Sequence, residues 1–259
     1  MTVRNFSQIF VCGVLGAAFL AGQAVPPAVT SPAAAGSIAR SLTDVTGPVP
    51  RLPDGKPDFA GIWFGGGPTG DLAAGLPKGE TIPLRPSAEK ILKERQSKDD
   101  PEANCLPAGV PRAAPYPWTF ATAPDRLYML FEGNIHTFRQ IFMDGRAHPK
   151  DPDPTWYGHS VGHWEGDTLV VDTVGYNDKF WFDFRGHPHT EQLHTIERYT
   201  RKNFGTLVNE ITIDDPGAYS KPFTVTFNAR LMPKGEIMEY ICQENNQDVS
   251  HIRGTAGVP

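Results

Sequence analysis

The chain has 259 residues, enough for one sizeable domain or two small ones. Its formal net charge is -5, with Lys+Arg 24 against Asp+Glu 29, and it carries no basic tract or Lys/Arg stripe. That balance argues against a nucleic-acid partner and reads as ordinary solubility.

The first residues read as a secretory signal over residues 1–24. Arg4 supplies a positive start, Ile9 to Leu20 is an apolar run short for a bilayer span, and Gly22-Gln23-Ala24 offers small residues for cleavage. The expected location is therefore the periplasm or the exterior, without stable membrane insertion after processing. Residues 25–50 are rich in Ala, Pro, Ser, Thr and Val, and read as a disordered linker. Residues 51–259 are expected to form a single domain. Once the signal is removed Cys105 and Cys242 remain, and an oxidising compartment favours a disulfide between them that ties a loop to the last strand.

Sixteen of the 25 prolines lie between Pro26 and Pro117, so this half is poor in regular structure. A short first strand is predicted over Ala60 to Phe64. One short helix is predicted over Ser87 to Ser97, with Ala88, Ile91 and Leu92 on one face. The segment "CLPAGVPRAAPYPW" must be irregular or extended. Beyond Asp125 the pattern is strand, turn, strand. Hairpins are predicted around Gly133-Asn134, Glu165-Gly166-Asp167, Lys202 to Gly205 and Pro233-Lys234-Gly235. Four hairpins and one early strand give about nine strands. The fold class is all-β, a mostly antiparallel barrel or curled sandwich, able to hold one small ligand inside.

Gly158-His159-Ser160-Val161-Gly162 matches G-x-S-x-G, the nucleophile elbow of lipases and esterases. The elbow needs a strand before the serine and a helix after it. Here "VGHWEGDTLVVDT" follows, with strand composition and two further glycines, so a serine hydrolase is not expected.

As a hairpin the same stretch has another meaning. With Glu165-Gly166 as the turn, His159 lies opposite Asp172. With Gly166-Asp167, His159, His163 and Asp172 still share a face. A three-residue turn separates them. A histidine oriented by an aspartate is a usable general base near neutral pH, and the competing meaning is a surface cross-strand pair. Five of the eight histidines lie between His159 and His194. His187, His189 and His194 offer a zinc or iron ligand set if a carboxylate such as Glu191 or Glu197 joins. In the first hairpin Glu132 and Arg139 are expected on one face, polar groups of a pocket if that face points inward and a surface ion pair worth little if it points outward. Asp144, Arg146 and His148 are assigned to a turn. Trp156, Tyr157, Trp164 and Phe180 to Phe184 flank the histidines, as the walls of a pocket for a greasy ligand would.

"DGKPDFAGIW", "GHSVGHWEGDTLVVDTVGYND" and "LHTIERYTR" together resemble a group of uncharacterised exported bacterial proteins. The resemblance covers most of the chain after Arg51 and transfers no activity. The strand arrangement is broadly similar to lipocalin-like calyces, at the level of fold alone.

The first expectation is an exported β-barrel enzyme acting on a small, partly apolar molecule by acid-base chemistry, as a lyase, isomerase or hydrolase. His159 would be the base, oriented by Asp172, with His194 as a second acid/base. Glu132, Arg139, Trp164 and Tyr157 would bind the substrate, without a cofactor. The second is a non-catalytic periplasmic protein that binds a small ligand in the same cavity. The third is an enzyme dependent on a divalent metal held by His187, His189 and His194.

Overall fold

The computed structural model describes residues 45–112, 116–133, 137–242 and 244. The predicted signal, most of the linker, and Asn134 and His136 of the first hairpin lie outside them. Among the described residues nine strands close into a barrel in sequence order. They are β1 (Ile62–Gly65), β2 (Trp118–Ala123), β3 (Arg126–Phe131), β4 (Thr137–Phe142), β5 (His159–Glu165), β6 (Thr168–Val174), β7 (His194–Asn203), β8 (Thr206–Asp214) and β9 (Phe223–Met232). One helix, α1 (Pro86–Glu94), lies outside the sheet and starts with proline, whose fixed φ and missing N–H suit a first turn.

All neighbours are antiparallel except β4 and β5, which run parallel and share only the pairs Ile141↔Ser160 and Phe142↔Val161. Residues 143–158 make the return that a parallel connection requires. Among the described residues only one other seam is as short, β1–β2, which shares the pairs Ile62↔Thr119 and Trp63↔Trp118. Thr137 to Gln140 have no paired partner on the β5 side among the described residues.

Nine strands were expected and nine are present, but not the same nine. β2 was not foreseen, because its start follows directly on the proline-rich segment. The fourth hairpin does not form: after Met232 the chain turns, and Gly235 to Cys242 are not strand. Cys105 and Cys242 are joined by a disulfide, which therefore clips a loop to a coil segment instead of a last strand. Val45 to Pro50 are not free of the domain. Gly47 O accepts from Phe204 N at 2.9 Å and Pro50 O from Asp58 N at 2.9 Å, so residues 47 and 50 are bonded to the domain.

The β3–β4 register also differs from expectation. Phe131 pairs with Thr137, a register that a two-residue Gly133-Asn134 turn does not give. A shift of one residue exchanges the faces of a strand. Met129, Phe131, Arg139 and Ile141 point inward and are buried, while Tyr128, Leu130, Phe138 and Phe142 point outward.

The interior is filled by side chains, as a barrel of this strand number allows. One apolar cluster gathers Trp63, Trp118, Phe120, Met129, Leu169 and Tyr199; the other gathers Tyr176, Phe180, Phe182, Ile211, Ile213 and Tyr219. A polar layer joins them. Arg139 Nη2 and Glu197 Oε2 lie 2.5 Å apart, with Arg139 fully buried and Glu197 nearly so. Arg139 also donates to Ser160 Oγ at 3.0 Å and Thr173 Oγ1 at 2.7 Å. Tyr199 donates to Glu197 Oε1 at 2.7 Å. Burial alone would lower the Arg139 pKa, but the adjacent Glu197 carboxylate holds it raised. The expected ligand space inside the barrel is thus occupied by this network, and an open cavity lies outside it.

Candidate functional site

The cavity is a groove of about 610 Å³ over the β4–β5 seam. Thr137, Phe138, Gln140 and Phe142 form its β4 side; Trp156, Tyr157, Gly158 and His159 form the other. Its volume is that of a small-molecule site. It exists because β4 and β5 diverge from their short parallel contact, and because the crossover carries Pro149 and Pro152, which cannot extend the sheet.

The β5–β6 hairpin turns at Gly166-Asp167, with Glu165 paired to Thr168. This is the second of the expected registers. His159, His163 and Asp172 lie on one face, and it is the outer face, since Ser160 and Thr173 point inward and are fully buried. His159 does not touch Asp172 directly. His148, from the crossover, stands between them. His148 Nδ1 lies 2.9 Å from His159 Nδ1, and His148 Nε2 lies 3.1 Å from Asp172 Oδ1. His194 Nε2, at the start of β7, reaches the same Oδ1 at 2.8 Å. The result is a hydrogen-bonded row, His159–His148–Asp172–His194.

The proton positions follow from the end of the row. A carboxylate only accepts, so His148 and His194 each donate from Nε2 to Asp172. With His148 neutral, its Nδ1 is bare and His159 Nδ1–H donates to it. His159 Nε2 is left without a proton. Burial lowers the His159 pKa, and the neighbouring His148 and Arg146 lower it further. The ring is therefore neutral at neutral pH and able to accept a proton. It also stacks on Phe142, with centroids 5.1 Å apart.

The two glycines of the apparent elbow serve the barrel. Gly158 has φ +64, and a Cβ there would meet Thr173 Cγ2 and Val174 O at 2.7 Å. A Cβ on Gly162 would meet Met143 Sδ at 2.6 Å and Ile141 Cγ2 at 2.8 Å. Ser160 borders the groove, but its hydroxyl is buried, with Arg139 donating to it and Thr173 Oγ1 at 2.9 Å, and strand instead of helix follows it. The geometry agrees with the sequence argument against a serine hydrolase.

Other expected site residues are dispersed. Tyr157 lines the groove, its hydroxyl 2.7 Å from Thr137 Oγ1 and its ring stacked on Phe131. Burial pushes its pKa up to about 12. Arg139 is committed to the interior ion pair and does not line the groove. Glu132 accepts from Met238 N at 2.9 Å and is not beside Arg139. The wrong register had placed the two together. Trp164 sits at the far end of β5 from His159, against Phe59 at 5.3 Å, with Lys56 Nζ 5.8 Å from its ring. His163 is exposed beside Glu165. His194 touches Asp172 and does not line the groove, so it orients the carboxylate.

His187, His189 and His194 do not converge. His187 Nδ1 lies 2.6 Å from Asp183 Oδ2. His189 is buried against Phe180, with Nε2 3.0 Å from Phe180 O, and burial lowers its pKa to about 4. Glu197 belongs to Arg139. Among the described residues the histidine-carboxylate group with ligand atoms within 4.8 Å of one another is Asp71, Asp183 and His187. Asp183 already accepts from the backbone N of Leu72, Gly186 and His187 and pairs with the His187 ring. Those contacts take up the lone pairs a cation would need. Burial would raise the Asp183 pKa, yet the His187 hydrogen bond leads the contacts that hold it lowered.

His148 was the residue sequence reasoning missed. Its only signal was its place in "MDGRAHP", where a turn role is the default. Comparison of the chain with family models, with curated proteins and with solved structures gave no match.

Proposed function

We propose that this protein is an exported acid-base catalyst that acts on a small, partly apolar molecule held in the groove. One observation carries the reading: a neutral histidine, His159, lines the groove and is backed by His148 and Asp172. A proton taken at His159 Nε2 drives the Nδ1 proton toward His148 Nδ1. The positive charge is then shared beside the Asp172 carboxylate, which stabilises it. The same proton can be returned at another atom of the substrate, as an isomerase or lyase requires. His194 holds Asp172 in place from the other side. The Cys105–Cys242 disulfide supports an oxidising compartment, and with it a periplasmic or secreted location.

The test is deuterium uptake from D₂O by a cyclic ketone, 2-tetralone, at neutral pD. The wild-type protein should accelerate exchange next to the carbonyl, and His159→Gln should abolish the acceleration. Exchange no faster than in buffer with either protein would overturn the reading.

A second reading, a non-catalytic small-ligand carrier, is favoured by the mainly aromatic and prolyl walls of the groove. It predicts ligand-induced thermal stabilisation that survives His159→Ala and His194→Ala, with no turnover in wild type.

A further inference from the structure

The groove is built for one kind of occupant. Its walls are flat: Phe138 is 59% exposed and faces it from β4, while Trp156 and the Phe142–His159 stack face it from other sides. Its charges are sparse. Among the described residues Asp153 is the only carboxylate that lines the groove, and no lysine or arginine does. Arg146, which lies over Phe142, is already paired with Asp144 at 2.5 Å.

A carboxylate or phosphate in this groove would lose hydration with no cation to replace it, and would face Asp153 as well. A cation would disturb the neutral His159 on which the chemistry depends. An uncharged ligand meets neither cost. Its polar atom has partners at the floor, where Gln140 lines the groove and, among the described residues, Thr137 to Gln140 have no strand partner on the β5 side. Aromatic walls reward a planar ring more than an open chain, because the ring keeps its contact area without losing rotamer freedom.

We propose that the groove takes an uncharged planar ring compound bearing one carbonyl or hydroxyl oxygen, seated between Phe138, Trp156 and the Phe142–His159 stack. This rests on the acid-base reading only for what happens to the ligand after it binds. The test compares 2-tetralone, 2-naphthoate and 2-octanone by titration calorimetry on the disulfide-intact full chain. The ring ketone should bind at least tenfold more tightly than the ring carboxylate or the open-chain ketone. Phe138→Ala and Trp156→Ala should each weaken 2-tetralone at least fivefold, while Phe184→Ala, which alters an exposed aromatic away from the groove, should not. Equal or tighter binding of 2-naphthoate or 2-octanone, or undiminished binding in both groove variants, would overturn the ligand class. Tight 2-tetralone binding without deuterium exchange would uphold the ligand class and overturn the acid-base reading instead.

Discussion

His148 and His159 meet nitrogen to nitrogen, Nδ1 to Nδ1, at 2.9 Å. One of the two must carry the proton and the other must lack it. For a neutral His148, Asp172 decides which, because the carboxylate accepts from His148 Nε2. A crossover histidine and a strand histidine thus act as one unit, with its basic nitrogen, His159 Nε2, at the free end.

Ser160→Ala is expected to leave the acid-base activity of the groove in place. The loss should be in stability, about 1–3 kcal/mol, because Arg139 Nε and Thr173 Oγ1 lose a buried partner. Urea denaturation and the exchange assay, run on the same preparation, separate the two effects. A loss of activity with unchanged stability would restore Ser160 as a reacting group.

The Arg139–Glu197 pair should show strong coupling. Arg139→Met alone leaves a buried carboxylate unpaired and should cost about 3–5 kcal/mol. Adding Glu197→Gln to that variant should return most of the loss, since no buried charge remains. A double-mutant cycle by denaturation measures this. Additive losses would show that the pair does not depend on mutual charge.

Acid should destabilise the fold in part through His189. Its pKa in the folded chain is lowered by burial to about 4, against a usual value near 6.5. Between those values the unfolded chain binds a proton that the folded chain refuses. Its contribution is therefore complete above pH 6.5 and is lost as pH falls through 4. The size is on the order of 3 kcal/mol. Denaturation midpoints of His189→Phe should fall less steeply than those of wild type from pH 6.5 to pH 4. An identical pH slope would contradict this.

The barrel was legible wherever pattern and turn chemistry agreed. Glu165-Gly166-Asp167 and the Asn203-to-Thr206 turn both lie between strands of β-branched residues, and both hairpins form. Legibility failed where the signal was not local. Gly133-Asn134 reads as a tight two-residue turn, but Phe131 pairs with Thr137, and that slip of one residue put Arg139 on the wrong face. The parallel β4–β5 seam is set by closure of the whole barrel, and no sequence pattern near it announces a groove. His159, Asp172 and His194 were found because all three lie on strands of legible phase. His148 reaches them from an irregular crossover, where phase has no meaning.

The central claim is that His159 presents a bare Nε2 to the groove because His148 and Asp172 fix its tautomer. Long-range ¹H–¹⁵N correlation of the imidazole nitrogens at pH 7.5 reads this directly. The expected result is a neutral His159 with its proton on Nδ1, and a mixture of tautomers in Asp172→Asn. A His159 protonated on Nε2, or one unaffected by Asp172→Asn, would contradict it.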